Sequence, residues 1–220
     1  LKLLERQALA SHYLAERPAP SNGHTERAHL KVFRKQCTRD RLAAWRLLSA
    51  ARSLKDVRDT GLVGIYDAGT LPDGRVFVAS EAVQGISLAT RLGRTGPIPF
   101  NELRPIARTL LRGLAALHER GLLHGYLSAE HVLIVKPEAG QRGERAQAYG
   151  VLTELATARL LENPDRPLPG VLRLVGDPNT IAPEVARGQA ATPLSEIYAV
   201  GCLLYQALTG QHVYESATAV

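Results

Sequence analysis

The hydrophobic pattern of this 220-residue chain changes once, at the sequence "QGIS" of residues 84–87, and that change limits the folds open to it. Before it, apolar residues form the short runs that are typical of β-strands. After it, they recur every three or four residues over longer stretches, as in amphipathic helices. We therefore expect an α+β fold. A small, β-rich region with one helix would cover residues 1–84, and a mainly helical region would cover residues 85–220, with a linker near residues 83–88.

The first region is predicted to be a small sheet with one helix. The runs "HYLAE" and "AHLKVF" read as strands on either side of the loop "RPAPSNGHTER". The turn "TLPDG" joins "LVGIYDAG" to "RVFVAS", which predicts a hairpin over residues 62–80. Between them, "RDRLAAWRLLSAARSLKDV" predicts one amphipathic helix, with Trp45 in the core. Its apolar face is predicted to comprise Leu42, Trp45, Leu48, Ala51 and Leu54.

The second region contains two clear helical patterns. The first is predicted to be capped by Asn101 and closed by Gly121, with one apolar face made of Leu103, Ile106, Leu110, Leu114 and Leu117. The second, "TPLSEIYAVGCLLYQALTG", has Thr192 as cap, Pro193 at its first position and Gly210 past its end. Between the helices, "HVLIV" and "VLTELAT" predict short strands around the charged loop "KPEAGQRGERAQA", and a Pro-rich irregular stretch follows over residues 162–184.

Composition excludes several classes of function. The 27 Lys and Arg exceed the 21 Asp and Glu, but they are scattered singly, which indicates a solvated surface and no nucleic-acid groove. Cys37 and Cys202 lie far apart without a neighbouring His, so we expect no zinc site, no disulfide framework and a reducing, cytoplasmic setting. The longest apolar stretch is too short to span a bilayer and is interrupted by Gln206. Because the sequence begins at Leu1 and has no Met, we expect an excerpt of a longer protein.

The order of these elements, with four phrases inside them, resembles the protein kinase family. In that family a strand carries V-A-I-K, a helix–turn–strand carries H-R-D-L-x-x-x-N, a later strand ends in D-F-G, and A-P-E follows. Here the corresponding phrases are "AHLK" with Lys31, "HGYLSAEH", "ELA" at residues 154–156 and "APE" at residues 182–184. "GDPNTIAPEVARG" and "SEIYAVGCLLYQALTG" are similar to bacterial Ser/Thr kinases. The resemblance implies a two-lobed kinase-like fold whose second lobe ends incomplete.

The departures from the family pattern fall on the residues that carry its chemistry. Tyr126 stands at the position of the catalytic Asp, and a phenol that is neutral at pH 7 cannot act as the usual base. Ser128 stands at the Lys position of the same loop, so a positive charge near the transferred phosphate is missing. His131 stands at the Asn position, where imidazole is a poor ligand for Mg²⁺. Glu154 replaces the metal-holding Asp and keeps a carboxylate.

The nucleotide side departs in the same way. The segment "ERQALASHYLA" has no glycine where the family has a Gly-rich phosphate loop. The resemblance places His12 and His29 where the family has Val and a small residue against adenine. No Glu occurs between residues 27 and 80 to pair with Lys31, so Asp40 or Glu154 is the expected substitute. Lys31 and Glu154 are the residues left to bind a nucleotide, if one binds.

Five residues have simpler interpretations. His124 stands where the family has a structural His, so we expect a buried, hydrogen-bonded imidazole and not a general base. His131 and His12 fall in different lobes without a third ligand, so no metal site is predicted. Thr157 and Thr180 are the only hydroxyl residues between Leu155 and Glu184, which leaves little for activation-loop phosphorylation to act on.

Together these features favour a catalytically inactive, kinase-like domain that acts as a protein-interaction or allosteric module. Its expected partner is another protein, such as an active kinase or a tethered domain, and no cofactor is expected. Two alternatives stay open: a weakly active or atypical Ser/Thr kinase that uses ATP and Mg²⁺, and a nucleotide sensor without catalysis.

Overall fold

The computed structural model describes residues 1–18, 25–136, 147–161 and 177–214. Over these residues the chain forms two compact units. Within the described residues, the first comprises residues 1–18, 25–57, 63–83 and 156–161, and the second comprises residues 58–62, 84–136, 147–155 and 177–214. The predicted division into domains 1–84 and 85–220 stays a prediction, because contacts within a unit do not show that it folds independently.

The first unit is built on a five-stranded antiparallel sheet with the strand order β1-β2-β3-β5-β4. Both predicted strands and the predicted hairpin are confirmed. The first strand was not predicted, because "KLLER" lacks an alternating pattern and all five of its residues are exposed. The elements of this unit are β1 (Lys2–Arg6), β2 (Ala10–Pro18), β3 (Thr25–Phe33), α1 (Arg41–Ser53), β4 (Ile65–Thr70), β5 (Val76–Glu81) and the short helix α4 (Ala158–Leu161).

Helix α1 is present as predicted, but its predicted apolar face is confirmed only at Ala51 and Leu54, which are buried. Ala43, Leu47 and Ala51 are buried, whereas Trp45 is 64% exposed and Leu42 is 52% exposed. Three residues cover about 60° less than a full turn, so side chains spaced strictly three apart wind around the helix and do not share one face. The buried face instead follows a spacing of four, and its alanines let the helix lie close to the sheet.

The second unit combines helices with a three-stranded sheet of order β6-β7-β8. The linker predicted near residues 83–88 is confirmed in part: the chain passes from the first unit to the second between Val83 and Gln84, but β6 and the first residue of α2 occupy residues 86–88. The predicted strand "VLTELAT" is confirmed only for its first two residues, and the chain turns after Thr153. The elements are β6 (Ile86–Ser87), α2 (Leu88–Thr95), α3 (Phe100–His118), β7 (Val132–Val135), β8 (Tyr149–Leu152), α5 (Pro183–Ala186) and α6 (Pro193–Thr209).

Helix α3 has the predicted core face but starts earlier than predicted. All five predicted face residues are buried. The cap residue is Pro99, whose carbonyl accepts the amide hydrogens of Glu102 and Leu103 at 3.0 and 2.9 Å, so the prediction of Asn101 as cap is wrong. The helix closes as predicted at Gly121, whose φ of 66° is left-handed and suits glycine.

Helix α6 agrees with its prediction at both ends. The Thr192 hydroxyl accepts the Ser195 amide hydrogen, and the Ser195 hydroxyl is bonded to the Thr192 backbone in return. Pro193 occupies the first turn, and Gly210 ends the helix with a φ of 76°. Over the part of the chain that the structure describes, no helix has both the length and the apolar character needed to cross a bilayer. The centres of three predicted loops, residues 19–24, 137–146 and 162–176, lie outside the described residues.

Candidate functional site

Lys31 is a core residue of the first unit. It lies on β3 directly opposite His12 of β2 and Val78 of β5, and only 7% of it is exposed. Its Nζ donates a hydrogen bond to Thr157 Oγ1 at 3.2 Å and lies 4.9 Å from the centre of the Phe33 ring. A hydroxyl acceptor and the face of an aromatic ring both stabilise an ammonium group that is withdrawn from water.

Thr157 belongs to the segment that follows the "ELA" sequence. Ala156, which the family resemblance places at the Gly of the D-F-G pattern, has a left-handed φ of 69°. Left-handed backbone costs a residue with a Cβ atom about 1 kcal/mol or more. The next residues are buried, and α4 packs against α1. This segment therefore holds Thr157 in the core of the first unit despite local backbone strain.

His12 and His29 form a pair on the same sheet face as Lys31. His12 Nδ1 and His29 Nε2 are 3.0 Å apart, and the two rings stack with centroids 5.0 Å apart. One nitrogen must donate and the other accept, so a single proton lies between these two atoms. The imidazole rings thus lie beside Lys31 on the face where the family resemblance places adenine.

The turn after α3 is organised around a neutral imidazole. His124 is 1% exposed, its Nε2 donates to the Thr153 carbonyl at 2.7 Å, and its Nδ1 accepts the Tyr126 amide hydrogen at 3.1 Å. The two hydrogen bonds together require a neutral imidazole ring that carries its single N–H proton on Nε2. Burial lowers the pKa of His124 to about 4. The structure therefore shows the buried, hydrogen-bonded imidazole that the sequence predicts.

A buried carboxylate of α6 holds the same turn from the other side. Glu196 is 4% exposed. One of its oxygens accepts the Gly125 amide hydrogen at 2.6 Å, and the other lies 2.7 Å from His118 Nε2 at the end of α3. Glu196 thereby fixes the backbone that carries residues 125 and 126.

Tyr126 and His131 pack on each other across this turn. Their ring centroids are 4.4 Å apart, and His131 Nδ1 lies 2.7 Å from the Tyr126 carbonyl oxygen. Since a carbonyl oxygen only accepts, Nδ1 carries the proton of this hydrogen bond. Burial, followed by the Glu154 carboxylate, raises the pKa of Tyr126 above its ordinary value of 10.0. Tyr126 is therefore a neutral phenol at pH 7.

Glu154 is placed beside the turn by the pairing of β7 with β8. Its neighbour Thr153 donates from its amide and its hydroxyl to the His131 carbonyl, at 2.9 and 3.1 Å. Ser128 is half-buried, and its carbonyl accepts the His131 amide hydrogen at 3.1 Å. The second unit thus brings together four of the predicted site residues, namely Tyr126, Ser128, His131 and Glu154.

The predicted nucleotide residues, Lys31 and Glu154, fall in different units. Asp40, one expected substitute partner of Lys31, accepts the amide hydrogens of Leu42 and Ala43 at 2.8 and 3.3 Å and so caps α1. Among the described residues, no group of three or more His, Cys, Asp or Glu is arranged to hold a metal ion.

Two residues, one in each unit, were missed by sequence reasoning. Thr157 was considered only as a phosphorylation target, yet it is 1% exposed and accepts a hydrogen bond from Lys31. Glu196 was passed over as part of a helix, although an acidic residue within the apolar run "SEIYAVG" is a signal of a buried carboxylate with a specific partner.

Comparisons with known proteins identify the family to which the chain is similar. The protein kinase domain model matches residues 22–219. The serine/threonine-protein kinase PknL of Mycobacterium tuberculosis is 28% identical over 229 residues, covering 99% of this chain and 54% of that protein. The serine/threonine-protein kinase pkn2 of Myxococcus xanthus is 35% identical over 170 residues, covering 76% and 19%. PrkC of Bacillus subtilis, also a serine/threonine-protein kinase, is 25% identical over 192 residues, covering 87% and 28%. The chain spans about half the length of the first of these relatives and less of the others.

Proposed function

The chain belongs to the protein kinase domain family, and we propose that it is a member that does not transfer phosphate and acts as a protein-interaction or allosteric module. The observation that carries the proposal is the packing of Tyr126 on His131, because these residues stand where the family has its acceptor-orienting Asp and its metal-binding Asn.

Phosphoryl transfer depends on positioning and on neutralising charge. A base must accept the proton of the incoming hydroxyl, and a phenol whose pKa is raised above 10.0 is already protonated at pH 7. Losing such a base lowers a rate by about a hundredfold to ten-thousandfold. Ser128 adds no positive charge where the family has Lys. The turn keeps its fold, through His124 and Glu196, without the groups that would act on a phosphate.

The residues present do not fit Mg²⁺ in the way the family holds it. Mg²⁺ favours hard oxygen ligands in octahedral geometry, and His131 offers an imidazole. Glu154 offers one carboxylate, and among the described residues no group of three or more His, Cys, Asp or Glu is arranged to hold a metal ion. No catalytic step through a metal is therefore part of the proposed function.

The nucleotide face of the first unit supports the same proposal. The His12–His29 pair lies on the sheet face beside Lys31, where adenine would need apolar contact. The Lys31 ammonium donates to Thr157 inside the core. Neither arrangement favours the binding of a triphosphate, so we propose that no nucleotide cofactor is needed. The expected partner is another protein, such as an active kinase or a tethered domain, and the expected location is the cytoplasm.

A second candidate function is an active protein kinase. It is favoured by the retention of Lys31 and of a carboxylate at Glu154, and by relatives that are named serine/threonine-protein kinases. The two functions differ in whether ATP binds and whether phosphate is transferred.

Thermal unfolding with ATP, with and without Mg²⁺ or Mn²⁺, tests the nucleotide part of the proposal. A ligand at a hundred times its Kd adds about 2.7 kcal/mol of stability, which in a domain of this size raises Tm by about 5–10 °C. We expect no change in Tm. A rise in Tm without phosphate transfer would instead identify a nucleotide sensor. A rise with transfer that Lys31→Ala abolishes would identify the active kinase.

A further inference from the structure

The outer face of α1 exposes the single tryptophan of the chain. Trp45 is 64% exposed and Leu42, three residues earlier, is 52% exposed. Residues three or four positions apart share one side of a helix, so these two side chains form one apolar spot that points away from the buried face. Single exposed apolar residues are ordinary on protein surfaces, so Trp45 alone would not indicate a binding site.

Positive charge surrounds this spot. Arg41 lies one turn before Trp45 and Arg52 lies two turns after it on the same side, and both are exposed. The loop before the helix adds exposed Arg34, Lys35 and Arg39. We call the surface formed by Arg41, Leu42, Trp45 and Arg52 the α1 outer face.

Little negative charge offsets these cations. Asp40 is the only acidic residue between residues 27 and 55, and its carboxylate accepts the backbone amides that begin α1. Asp67, on neighbouring β4, pairs with Lys55 at 3.0 Å and also interacts electrostatically with Arg52. Exposed Asp56 follows Arg52 by four residues, so Arg52 is partly offset, and the four other exposed cations, Arg34, Lys35, Arg39 and Arg41, remain. Tryptophan and arginine are the residues that protein interfaces favour at their energetically dominant positions, and here Trp45 lies between two arginines, with Leu42 adding apolar area.

Charge complementarity distinguishes three kinds of partner for the α1 outer face: a second copy of the chain, a nucleic acid and an acidic protein segment. A second copy of the chain in a symmetric dimer would bring the arginines of one α1 outer face against those of the other, and like charges repel. A nucleic-acid backbone would gain from the arginines but not from Leu42. A partner segment that carries both carboxylates and apolar side chains would satisfy every residue of the face.

We infer that the α1 outer face is a docking site for an acidic segment of a partner protein, with Trp45 and Leu42 as apolar anchors and Arg41 and Arg52 as carboxylate-binding residues. This inference rests on the proposed function as an interaction module and names the chemistry of the partner. At about 1.5 Å per residue, the two arginines lie about 16 Å apart along the helix. A bound segment therefore carries its acidic residues about five positions apart if extended, or about eleven apart if helical.

The test is selection from a displayed library of random peptides of about twelve residues against the purified chain, followed by titration of an enriched peptide. Because Trp45 is the only tryptophan, its fluorescence reports binding at this face directly. We expect the enriched peptides to be acidic with apolar residues and to shift Trp45 emission to the blue. The double variant Arg41→Glu/Arg52→Glu should weaken binding at least tenfold, and so should Trp45→Phe, read by calorimetry.

The matched control is Arg94→Glu/Arg187→Glu, which makes the same change in net charge at exposed sites of the second unit. It should leave the affinity unchanged. The inference is overturned if no peptide is enriched, if the enriched peptides lack acidic residues, or if Arg41→Glu/Arg52→Glu binds as tightly as the control. It is also overturned if phosphatidylserine vesicles or a single-stranded oligonucleotide shift Trp45 emission at lower concentration than the peptide does. Phosphate transfer by the chain would contradict the proposed function without altering these binding results.

Discussion

Lys31 Nζ and Thr157 Oγ1 lie 3.2 Å apart in the core of the first unit, and both side chains are buried. The lysine that resembles the nucleotide-binding lysine of protein kinases is thus hydrogen-bonded to a residue 126 positions later in the chain. This contact gives Lys31 a structural role that does not require ATP.

Thr157→Val should therefore lower stability. Valine matches threonine in shape, but it leaves the ammonium without this acceptor, and a hydrogen bond to a charged group contributes about 1.5 kcal/mol or more. Urea unfolding measures the loss. Thr70→Val, at an exposed position at the end of β4, is the matched control and should change stability by less than about 0.5 kcal/mol. Equal effects of the two variants would contradict a structural role for the contact.

Ala156→Gly should raise stability. Ala156 has a left-handed φ of 69°, which costs about 1–2 kcal/mol in a residue with a Cβ atom. Glycine removes this cost, but its greater conformational entropy stabilises the unfolded chain by about 0.4–1 kcal/mol. The expected net gain is about 0.5–1 kcal/mol, measured by urea unfolding.

The control for that change is Ala115→Gly, at an exposed position in the interior of α3. There the same substitution should cost about 1 kcal/mol, because the backbone is helical and alanine is favoured. A loss of stability in Ala156→Gly of the same size would show that residue 156 is not strained.

The free energy of unfolding should decrease as the pH is lowered from 6.5 to 4, because of His124. Burial lowers its pKa from an ordinary 6.5 to about 4, so in this range the unfolded chain binds a proton that the folded chain does not. The contribution is fully present above pH 6.5 and is lost as the pH approaches 4. It amounts to about 3 kcal/mol.

The comparison that isolates this effect is with His124→Gln, which cannot titrate. The difference in unfolding free energy between the natural chain and the variant should shrink steadily from pH 7 to pH 4. If that difference were constant with pH, His124 would have an ordinary pKa in the folded chain.

Removing the Glu196 carboxylate should release the turn that carries Tyr126. Glu196→Ala removes the carboxylate oxygen that accepts the Gly125 amide hydrogen at 2.6 Å. It also removes the oxygen that lies 2.7 Å from His118 Nε2. We expect a loss of about 3 kcal/mol. Glu196→Gln keeps a carbonyl oxygen for Gly125 and should cost less than half as much. An equal loss in both variants would contradict the hydrogen-bonding role.

The sequence was sufficient to predict most helices and strands, because each is marked by local signals. Helix α6 shows this best: Thr192, Pro193 and Gly210 mark its ends, and the structure agrees at all three. The face of α1 was not predictable in this way. Its sequence offers two apolar lines, and only the position of the sheet decides that Leu47 is buried while Trp45 is exposed.

The candidate site residues show the same difference: their identities follow from the sequence, but their contacts depend on the tertiary structure. The sequence alone predicts that Tyr126 and His131 stand at the family's Asp and Asn positions, because the resemblance to the motif assigns those positions. Their mutual packing and the Lys31–Thr157 contact depend on tertiary structure, which pairs residues far apart in the chain. No local pattern records such a pairing.

The most direct test of the proposed function is incubation of the purified chain with radiolabelled ATP, Mg²⁺ or Mn²⁺ and a general protein substrate, beside an active kinase as positive control. The proposed function predicts no label on the chain or on the substrate above the background without protein. Label that is abolished by Lys31→Ala and unchanged by Lys2→Ala, at an exposed position of β1, would contradict it.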